Sequence, residues 1–416
     1  MAGGSVLVDG SSSSSTSADS ADSVLTTDGS VVQPEVVTPA RTASAVPGRM
    51  LVVLEMPGGN DGLSLGVPYG RGSYYDRRNQ TAIAQEDVLR IDDEVGLHPN
   101  LERLHARGVS LVEGVGSTTP DGSHFEMQAR WWAGTSTAGP TTTGWVGRLA
   151  DLLKSDSDAT AIPATAVSVG SGAHPIVRSA TGSTLSMPSA DAVWALAGAA
   201  PDDAFRSTYQ RTLRAYAAGT SAHAATMGAT IDFAQAVVAL DDGSEPEDIG
   251  YEGWGLGSSL QFAALVLAGG TGVKVVHVSM SGDFDTHEGH GWRHPELMRE
   301  LDVNLAAFHD DLDRRGIGDD VMVMTTSEFG RTLNENASGG LDHGTASTAM
   351  LSGPDTGESL GWRHGELPSM TDLDDNDDVK ATVPLEGYLG GVVEGWLGVP
   401  ATEVFPGTTP MPLVFA

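Results

Sequence analysis

Carboxylates and histidines follow four apolar runs of this sequence and recur once more shortly downstream. The segments are Asn60-Asp61, Ser123-His124, Asp283-Phe284-Asp285-Thr286-His287, Ser327-Glu328 and Leu341-Asp342-His343-Gly344. Oxygen and imidazole ligands in this mixture suit Zn²⁺, Mn²⁺, Mg²⁺ or Ca²⁺. The pattern therefore predicts a site for divalent cations. Its most specific local signal is the cluster of Asp283, Asp285 and His287, where two acids and a histidine fall within five residues.

Each segment also has a purely structural explanation. Asp61 before Gly62 is a common turn pair. Glu328 could pair with Arg331 at the surface, and His343 could be an ordinary loop histidine. The joint pattern favours a site more strongly than any single segment does.

Ser123 stands where a helical pattern begins, and the spacing from Ser123 to Glu126 is that of a capping box. Backbone N–H groups at a helix N-terminus favour an anion. A phosphoryl or sulfuryl group could therefore lie against Ser123, with the serine hydroxyl as nucleophile. A free serine is a weak nucleophile, so this function requires a metal or a base nearby. Capping and catalysis are compatible.

Alternating apolar runs and helical patterns predict an α/β fold with a largely parallel sheet. The predicted strands are Met50–Met56, Val109–Val115, Ala164–Val169, Val273–Ser279 and Val321–Thr326. The predicted helices are Pro99–Arg107, Phe125–Trp132, Ala190–Ala199, Ala204–Leu240, Ser259–Ala268, Glu296–Arg314 and Leu385–Leu397. Because ligands bind outside the carboxyl ends of the strands in such sheets, the polar segments are expected to meet at one edge.

Composition removes several classes of function. The chain has 416 residues, 55 acidic against 23 basic residues, a formal charge of −32 and no cysteine. Without cysteine there are no disulfides, thiolate metal sites or cysteine nucleophiles. The negative charge argues against nucleic-acid binding and against docking on an anionic membrane. No window reaches the roughly 18 apolar residues of a membrane-spanning helix.

The chain divides into a low-complexity tail at residues 1–48 and a folded domain at 49–416. Within the domain, residues 175–250 are rich in alanine and predicted to be helical without a strong strand, as an insertion or a cap. The tail shows no basic and apolar regions of a signal peptide, although Met1–Gly10 could be the remnant of one.

Eight short motifs in order resemble the bacterial domain-of-unknown-function 1501 family, over roughly residues 49–415. They are Gly58–Leu63, Val67–Tyr69, Gly96–Pro99, Ser123–Phe125, Thr143–Arg148, Asp285–His287, Ser327–Thr332 and Asp342–Gly344. That family is similar to the alkaline phosphatase and sulfatase superfamily. The resemblance implies a doubly wound sheet, two metals beside a nucleophile, and transfer of a phosphoryl or sulfuryl group. Members often carry a twin-arginine export signal, which this chain does not show.

The resemblance also implies roles for single residues. Asp61 matches the metal-binding acid after the first strand, Ser123 the nucleophile, and His343 the late histidine ligand. This chain departs from the superfamily's ligand pattern at two places. Ser327-Glu328 replaces an Asp-His pair and so removes one imidazole ligand.

The second departure concerns the two acids before His287. The superfamily's spacing of four residues between acid and histidine selects Asp283. The family's own motif selects Asp285 instead. Asp285 is preferred, and Asp283 remains a competitor.

These inferences predict an extracytoplasmic, metal-dependent hydrolase of phosphate esters, with sulfate esters as the second choice. The ester could be a small molecule or borne by a polymer. One or two divalent cations are expected on Asp61, Asp285, His287, Glu328 and His343. Arg331 is expected to contact non-bridging oxygens, and Asn60 or His124 to polarise the same group. The lack of cysteine excludes the cysteine-derived nucleophile of typical sulfatases and so favours phosphate.

The alternative is a secreted binding or cell-surface assembly protein that keeps the same fold without hydrolysis. The incomplete ligand set supports this alternative. A calcium-stabilised structural protein is a third possibility, because carboxylates are in such excess. Convergence of the predicted ligands on one point favours the enzyme.

Overall fold

The computed structural model describes residues 46, 48–137, 139, 141–154, 164–170, 172–182, 184–197, 204–240, 246–252 and 255–415. The predicted tail, residues 1–48, lies outside the described residues except for Val46 and Gly48. Among the described helices, none combines the length and apolar character needed to cross a bilayer.

The described strands form one large sheet and two small ones. They are β1 Met50–Glu55, β2 Gly66–Val67, β3 Leu89–Arg90, β4 Gly96–Leu97, β5 Val109–Gly116, β6 Ala166–Val169, β7 Thr184–Met187, β8 Val275–Ser279, β9 Val321–Thr326, β10 Arg331–Glu335, β11 Leu341–His343, β12 Ser347–Ser352, β13 Arg363–Gly365 and β14 Val383–Pro384. The large sheet has the order β13-β5-β12-β9-β1-β8-β6-β7, with β14 beside β5. Every pairing in it is parallel except those of β12 with β5 and β9.

Helices surround this sheet. They are α1 Gly62–Leu65, α2 Gly72–Arg77, α3 Glu102–Arg107, α4 His124–Ala133, α5 Trp145–Leu153, α6 Ala190–Ala197, α7 Ala204–Ala217, α8 Ala222–Val238, α9 Pro246–Ile249, α10 Leu256–Ala268, α11 His290–Arg314, α12 Leu385–Leu397 and α13 Ala401–Val404. Short 3₁₀ turns occupy Pro175–Val177 and Gly318–Asp320.

Strand β1 lies at the centre of the sheet, and all its residues are buried. Successive strand residues point to opposite faces. Val52 and Leu54 belong to one core with residues of α10 and α11. Leu51 and Val53 belong to a second core with residues of α4, α5 and α12. The sheet is therefore covered on both faces, which confirms the predicted fold class and explains the continuous apolar runs.

Three of the differences between the predicted and the observed elements concern the main sheet and the helices after β7. The predicted helix Ala204–Leu240 is two helices, because α8 restarts where the Ser221 side chain accepts a hydrogen bond from the N–H of Ala224. The range 175–250 contains a strand, β7, which pairs with β6 in the main sheet. The antiparallel strand β12 was not predicted.

Candidate metal centre

Side chains from the first residue of α4, the loop after β8 and the β10–β11 hairpin converge beyond the carboxyl ends of the strands. The Nε2 atoms of His287 and His343 lie 2.9 Å apart. They lie 3.0 and 3.2 Å from Oδ1 of Asp285, respectively. Nε2 of His124 lies 3.5 Å from Oδ2 of the same carboxylate. His124, Asp285 and His343 each offer a ligand atom, and those atoms lie within 4.8 Å of one another.

The opposite nitrogen of each ring is held by an acceptor. His287 Nδ1 lies 2.7 Å from Asp342 Oδ1, His343 Nδ1 lies 2.7 Å from the Gly122 carbonyl oxygen, and His124 Nδ1 lies 2.9 Å from Glu328 Oε1. Because carboxylates and carbonyls only accept, Nδ1 carries the proton in the neutral ring and Nε2 keeps its lone pair. Histidines that bind metals are held in this way by an outer shell of acceptors.

Arg331 fixes the carboxylate of the cluster. Its guanidinium is buried and donates to Asp285 Oδ1 at 2.6 Å. Its other hydrogen bonds go to backbone carbonyls of Gly58, Gly59 and Leu341. Burial alone would raise the pKa of Asp285, but Arg331 outweighs it and holds that pKa below the ordinary value. The carboxylate is thus an ionised, oriented ligand, and Arg331 is committed to holding it.

The histidines differ in their affinity for protons. Burial, with the charge of Arg331, lowers the pKa of His343 and so favours the neutral ring that a metal requires. The hydrogen bond to Glu328 raises the pKa of His124. A proton therefore competes with a metal more strongly at His124 than at His343.

Asp61, the predicted first-strand ligand, lies in a different environment. Its two oxygens accept hydrogen bonds from Arg78 at 2.6 and 3.0 Å, and the pair is buried. Oδ1 also caps α1 through the N–H of Leu63, and His290 Nε2 lies 3.4 Å from Oδ2. Although burial opposes ionisation, Arg78 and His290 hold the pKa of Asp61 well below its ordinary value. The structure does not bring Asp61 into the cluster.

The two other candidate acids, Asp283 and Glu328, make contacts different from those of Asp285. Asp283 is exposed, and its Oδ1 accepts the backbone N–H of Asp285 at 3.0 Å as a turn cap. Glu328 is buried, and its Oε1 accepts hydrogen bonds from the Gly58 N–H at 2.8 Å and from Gln128 at 3.1 Å. Asp285 therefore occupies the cluster, while Glu328 supports the ring of His124.

Asn60 is buried beside the loop after β1. Its side-chain oxygen lies 3.1 Å from His294 Nε2. Its backbone N–H donates to Ser327 Oγ at 2.7 Å. These contacts tie the loop after β1 to the loop after β9.

Ser123 is the N-cap residue of α4 and is half-buried. It lies between Gly122, whose carbonyl binds His343, and His124, a member of the cluster. The predicted capping box does not form. The Ser123 side chain makes no capping hydrogen bond, and Glu126 accepts one from Arg130 at 3.0 Å instead.

A second group of potential ligands joins Glu55, His174 and His277. Sequence patterns did not select it, because its members are far apart in the chain and neither histidine has an acid beside it. Only the pairing of β1 with β8 brings Glu55 and His277 to neighbouring strands.

A family model described as "Protein of unknown function (DUF1501)" matches residues 133–380. No curated protein matches the chain.

Solved structures with a similar fold include the lipoteichoic acid synthase LtaP from Listeria monocytogenes, a protein in the alkaline phosphatase superfamily from Vibrio parahaemolyticus, and the C-terminal periplasmic domain of EcEptC from Escherichia coli in complex with Zn. In that order, their sequence identities to this chain are 10%, 11% and 11%, with TM-scores of 0.36, 0.34 and 0.30. The alignments cover 78%, 78% and 82% of this chain and 71%, 66% and 82% of those chains. Because these TM-scores lie below 0.5, the sheet order described above, and not this likeness, defines the fold.

Proposed function

This chain belongs to the DUF1501 family, and we propose that it is an extracytoplasmic, metal-dependent hydrolase of phosphate esters, with sulfate esters second. The observation that carries the proposal is that the Nε2 atoms of His124, His287 and His343 all lie 3.0–3.5 Å from the Asp285 carboxylate, with His124 directly after Ser123 in the chain. The extracytoplasmic location follows from the resemblance of the chain to exported members of the family.

The proposed ligands of one divalent cation are His124, Asp285, His287 and His343. Three imidazoles and one carboxylate suit Zn²⁺ best, although Mn²⁺ accepts the same donors. A cation held there would lower the pKa of a nearby hydroxyl and offset negative charge on the transferred group. The ion pair of Asp61 with Arg78 favours one cation over the two of the superfamily.

The remaining roles belong to the protein itself. Ser123 supplies the hydroxyl that attacks the ester, which divides hydrolysis into formation and breakdown of a phosphoserine. The backbone N–H groups in the first turn of α4 face the anion. Arg331 orients Asp285, and Asp342 and Glu328 orient His287 and His124.

The decisive experiment combines metal content with turnover of aryl phosphate and aryl sulfate esters by the full chain. Ser123→Ala is expected to lose turnover at least 1,000-fold, an order-of-magnitude expectation for a nucleophile, while it keeps the metal. His287→Ala is expected to lose turnover and the ion of this site. Ser221→Ala is the matched control, because Ser221 is an N-cap serine on α8, outside the site.

The binding-protein alternative remains the second candidate, because Asp61 pairs with Arg78 and does not join the cluster around Asp285. Stoichiometric metal without turnover of any ester would overturn the hydrolase proposal and favour this alternative. Turnover that Ser123→Ala leaves unchanged would exclude Ser123 as nucleophile.

A further inference from the structure

Three buried side chains outside the proposed active site bring their ligand atoms together. Glu55 ends β1, His277 lies in the neighbouring strand β8, and His174 precedes the 3₁₀ turn Pro175–Val177. Oε2 of Glu55 lies 3.4 Å from Nε2 of His174 and 3.3 Å from Nε2 of His277. All three ligand atoms lie within 4.8 Å of one another.

His277 is fully buried, yet its Nε2 has no hydrogen-bond partner. Its Nδ1 lies 2.9 Å from Ser168 Oγ, and a serine hydroxyl can accept a proton from Nδ1. The Nε2 lone pair is then left facing the carboxylate of Glu55. Oε2 of Glu55 lies 3.3 Å from this nitrogen, so a cation placed between the two atoms would bind both.

Glu55 is buried as well and lacks a permanently charged partner among the described residues. The indole N–H of Trp132 donates to Oε1 at 2.6 Å and fixes the carboxylate. No Lys or Arg in the described part of the chain forms an ion pair with Glu55. A buried carboxylate without a counter-ion is costly, and a cation would balance its charge.

The cluster is reached from a cleft of about 370 Å³. Glu55 and His174 line this cleft together with Gln128, Trp132 and Ser279. An ion bound to the three side chains would therefore keep one open side for water or a ligand, as catalytic zinc sites do.

We propose that Glu55, His174 and His277 form a second divalent-metal site, with the two-histidine, one-glutamate composition that zinc accepts. In a tetrahedral zinc site with bonds of about 2.0–2.1 Å, ligand atoms lie about 3.3–3.4 Å apart. The two distances from Glu55 match that separation. Ser168 and Trp132 are the outer residues that orient His277 and Glu55.

Binding requires one local change. The N–H of Ile176 lies 3.3 Å from Nδ1 of His174, which in the absence of metal places the ring proton on Nε2. Metal at Nε2 moves that proton to Nδ1, so this long hydrogen bond is given up. The ion also takes the place of the His174 Nε2 proton that faces Glu55 Oε2.

The test is zinc stoichiometry of the full chain after removal of bound metal with a chelator. Wild-type protein is expected to bind two zinc ions. Glu55→Gln and His277→Gln should each bind one, with at least 100-fold weaker binding at the altered site. His309→Gln is the matched control, because His309 is equally buried and also bonded to a serine, Ser352, outside both clusters.

The two sites can be distinguished with His343→Gln, which should remove only the ion of the proposed active site. If the wild type binds one ion that His343→Gln retains and His277→Gln loses, the second site stands and the proposed function fails. Unchanged zinc binding in folded Glu55→Gln and His277→Gln overturns the second site. So does the absence of a zinc anomalous peak beside Glu55 in crystals grown with zinc.

Discussion

The proposed ligands His124, His287 and His343 each have a fixed acceptor on the side of the ring opposite Nε2. A free histidine ring exchanges its proton between the two nitrogens, and metal binding must then select one form. Here Glu328, Asp342 and the Gly122 carbonyl make that selection before any metal arrives. The metal affinity of the centre should therefore depend on residues that never touch the metal.

Asp342 offers a direct test of this dependence. Asp342→Ala removes the acceptor of His287 Nδ1, and loss of an outer-shell partner typically weakens metal binding about 10- to 100-fold. Zinc affinity, measured by competition with a chelating dye, is expected to fall by that factor. Asp372→Ala is the control, because Asp372 is an exposed acid paired with Lys380. Equal zinc affinity in the two variants would show that His287 needs no outer partner.

The single residues show how far sequence patterns reach. Asp285, His287 and His343 could be proposed from short motifs, because each motif places its ligand directly. Asp61 carried an equally good motif, but Arg78 reaches its carboxylate in the folded chain. Tertiary packing determines which basic residue pairs with a buried acid, and a short sequence motif does not contain that information.

At the scale of elements, the hairpin of β10 and β11 aligns the two halves of the site. Its register pairs Arg331 with His343, so the arginine that holds Asp285 and one proposed ligand are fixed by the same hydrogen-bonded ladder. Gly340 directly precedes β11, the second strand of the hairpin. A side chain there would place Cβ 2.1 Å from the His287 carbonyl oxygen.

Gly340→Ala should therefore displace the loop that carries His287. An overpacking of this kind costs about 1–3 kcal/mol, and the shift should also weaken zinc binding. Gly72→Ala is the control, since no atom lies within 4 Å of its added Cβ. The measurements are the urea midpoint and the zinc affinity of each variant. A Gly340→Ala protein that matches wild type in both would show that the hairpin does not constrain His287.

The predicted elements succeeded where one local signal was sufficient. Strand Val321–Thr326 and helix Leu385–Leu397 begin and end as predicted, since a buried run and a helical pattern fix them. Strand β12 was missed, because its sequence Ser-Thr-Ala-Met-Leu-Ser has only three consecutive apolar residues between hydroxyl residues. It is a strand because β5 and β9 provide partners on both sides.

At the scale of the whole molecule, the charge of −32 says little about the site. The proposed active centre uses a single carboxylate ligand, the half-buried Asp285 held by Arg331, while Arg78 holds the buried Asp61. Several buried histidines also have pKa values below the ordinary one, because burial disfavours the charged ring. Burial, together with the charge of His290, lowers the pKa of His98 to about 4.

His309 gives the clearest consequence for stability. Burial, with the nearby charge of Arg107, lowers the pKa of His309 to about 3, against an ordinary value of 6.5. Between these two values the unfolded chain binds the proton and the folded chain does not. The contribution to stability is therefore present above pH 6.5 and is lost as the pH falls towards 3, by about 1.4 kcal/mol per pH unit.

His309→Gln removes this titration, and glutamine can still bond to Ser352, which lies 2.7 Å from the histidine. Between pH 7 and pH 5 the free energy of unfolding of wild type is expected to fall about 2 kcal/mol further than that of the variant. Urea denaturation of both proteins at both pH values measures this difference in the free energy of unfolding. The two proteins have the same surface acids, so the titration of those acids cancels in the comparison. Parallel losses in the two proteins would mean that His309 is protonated inside the folded molecule.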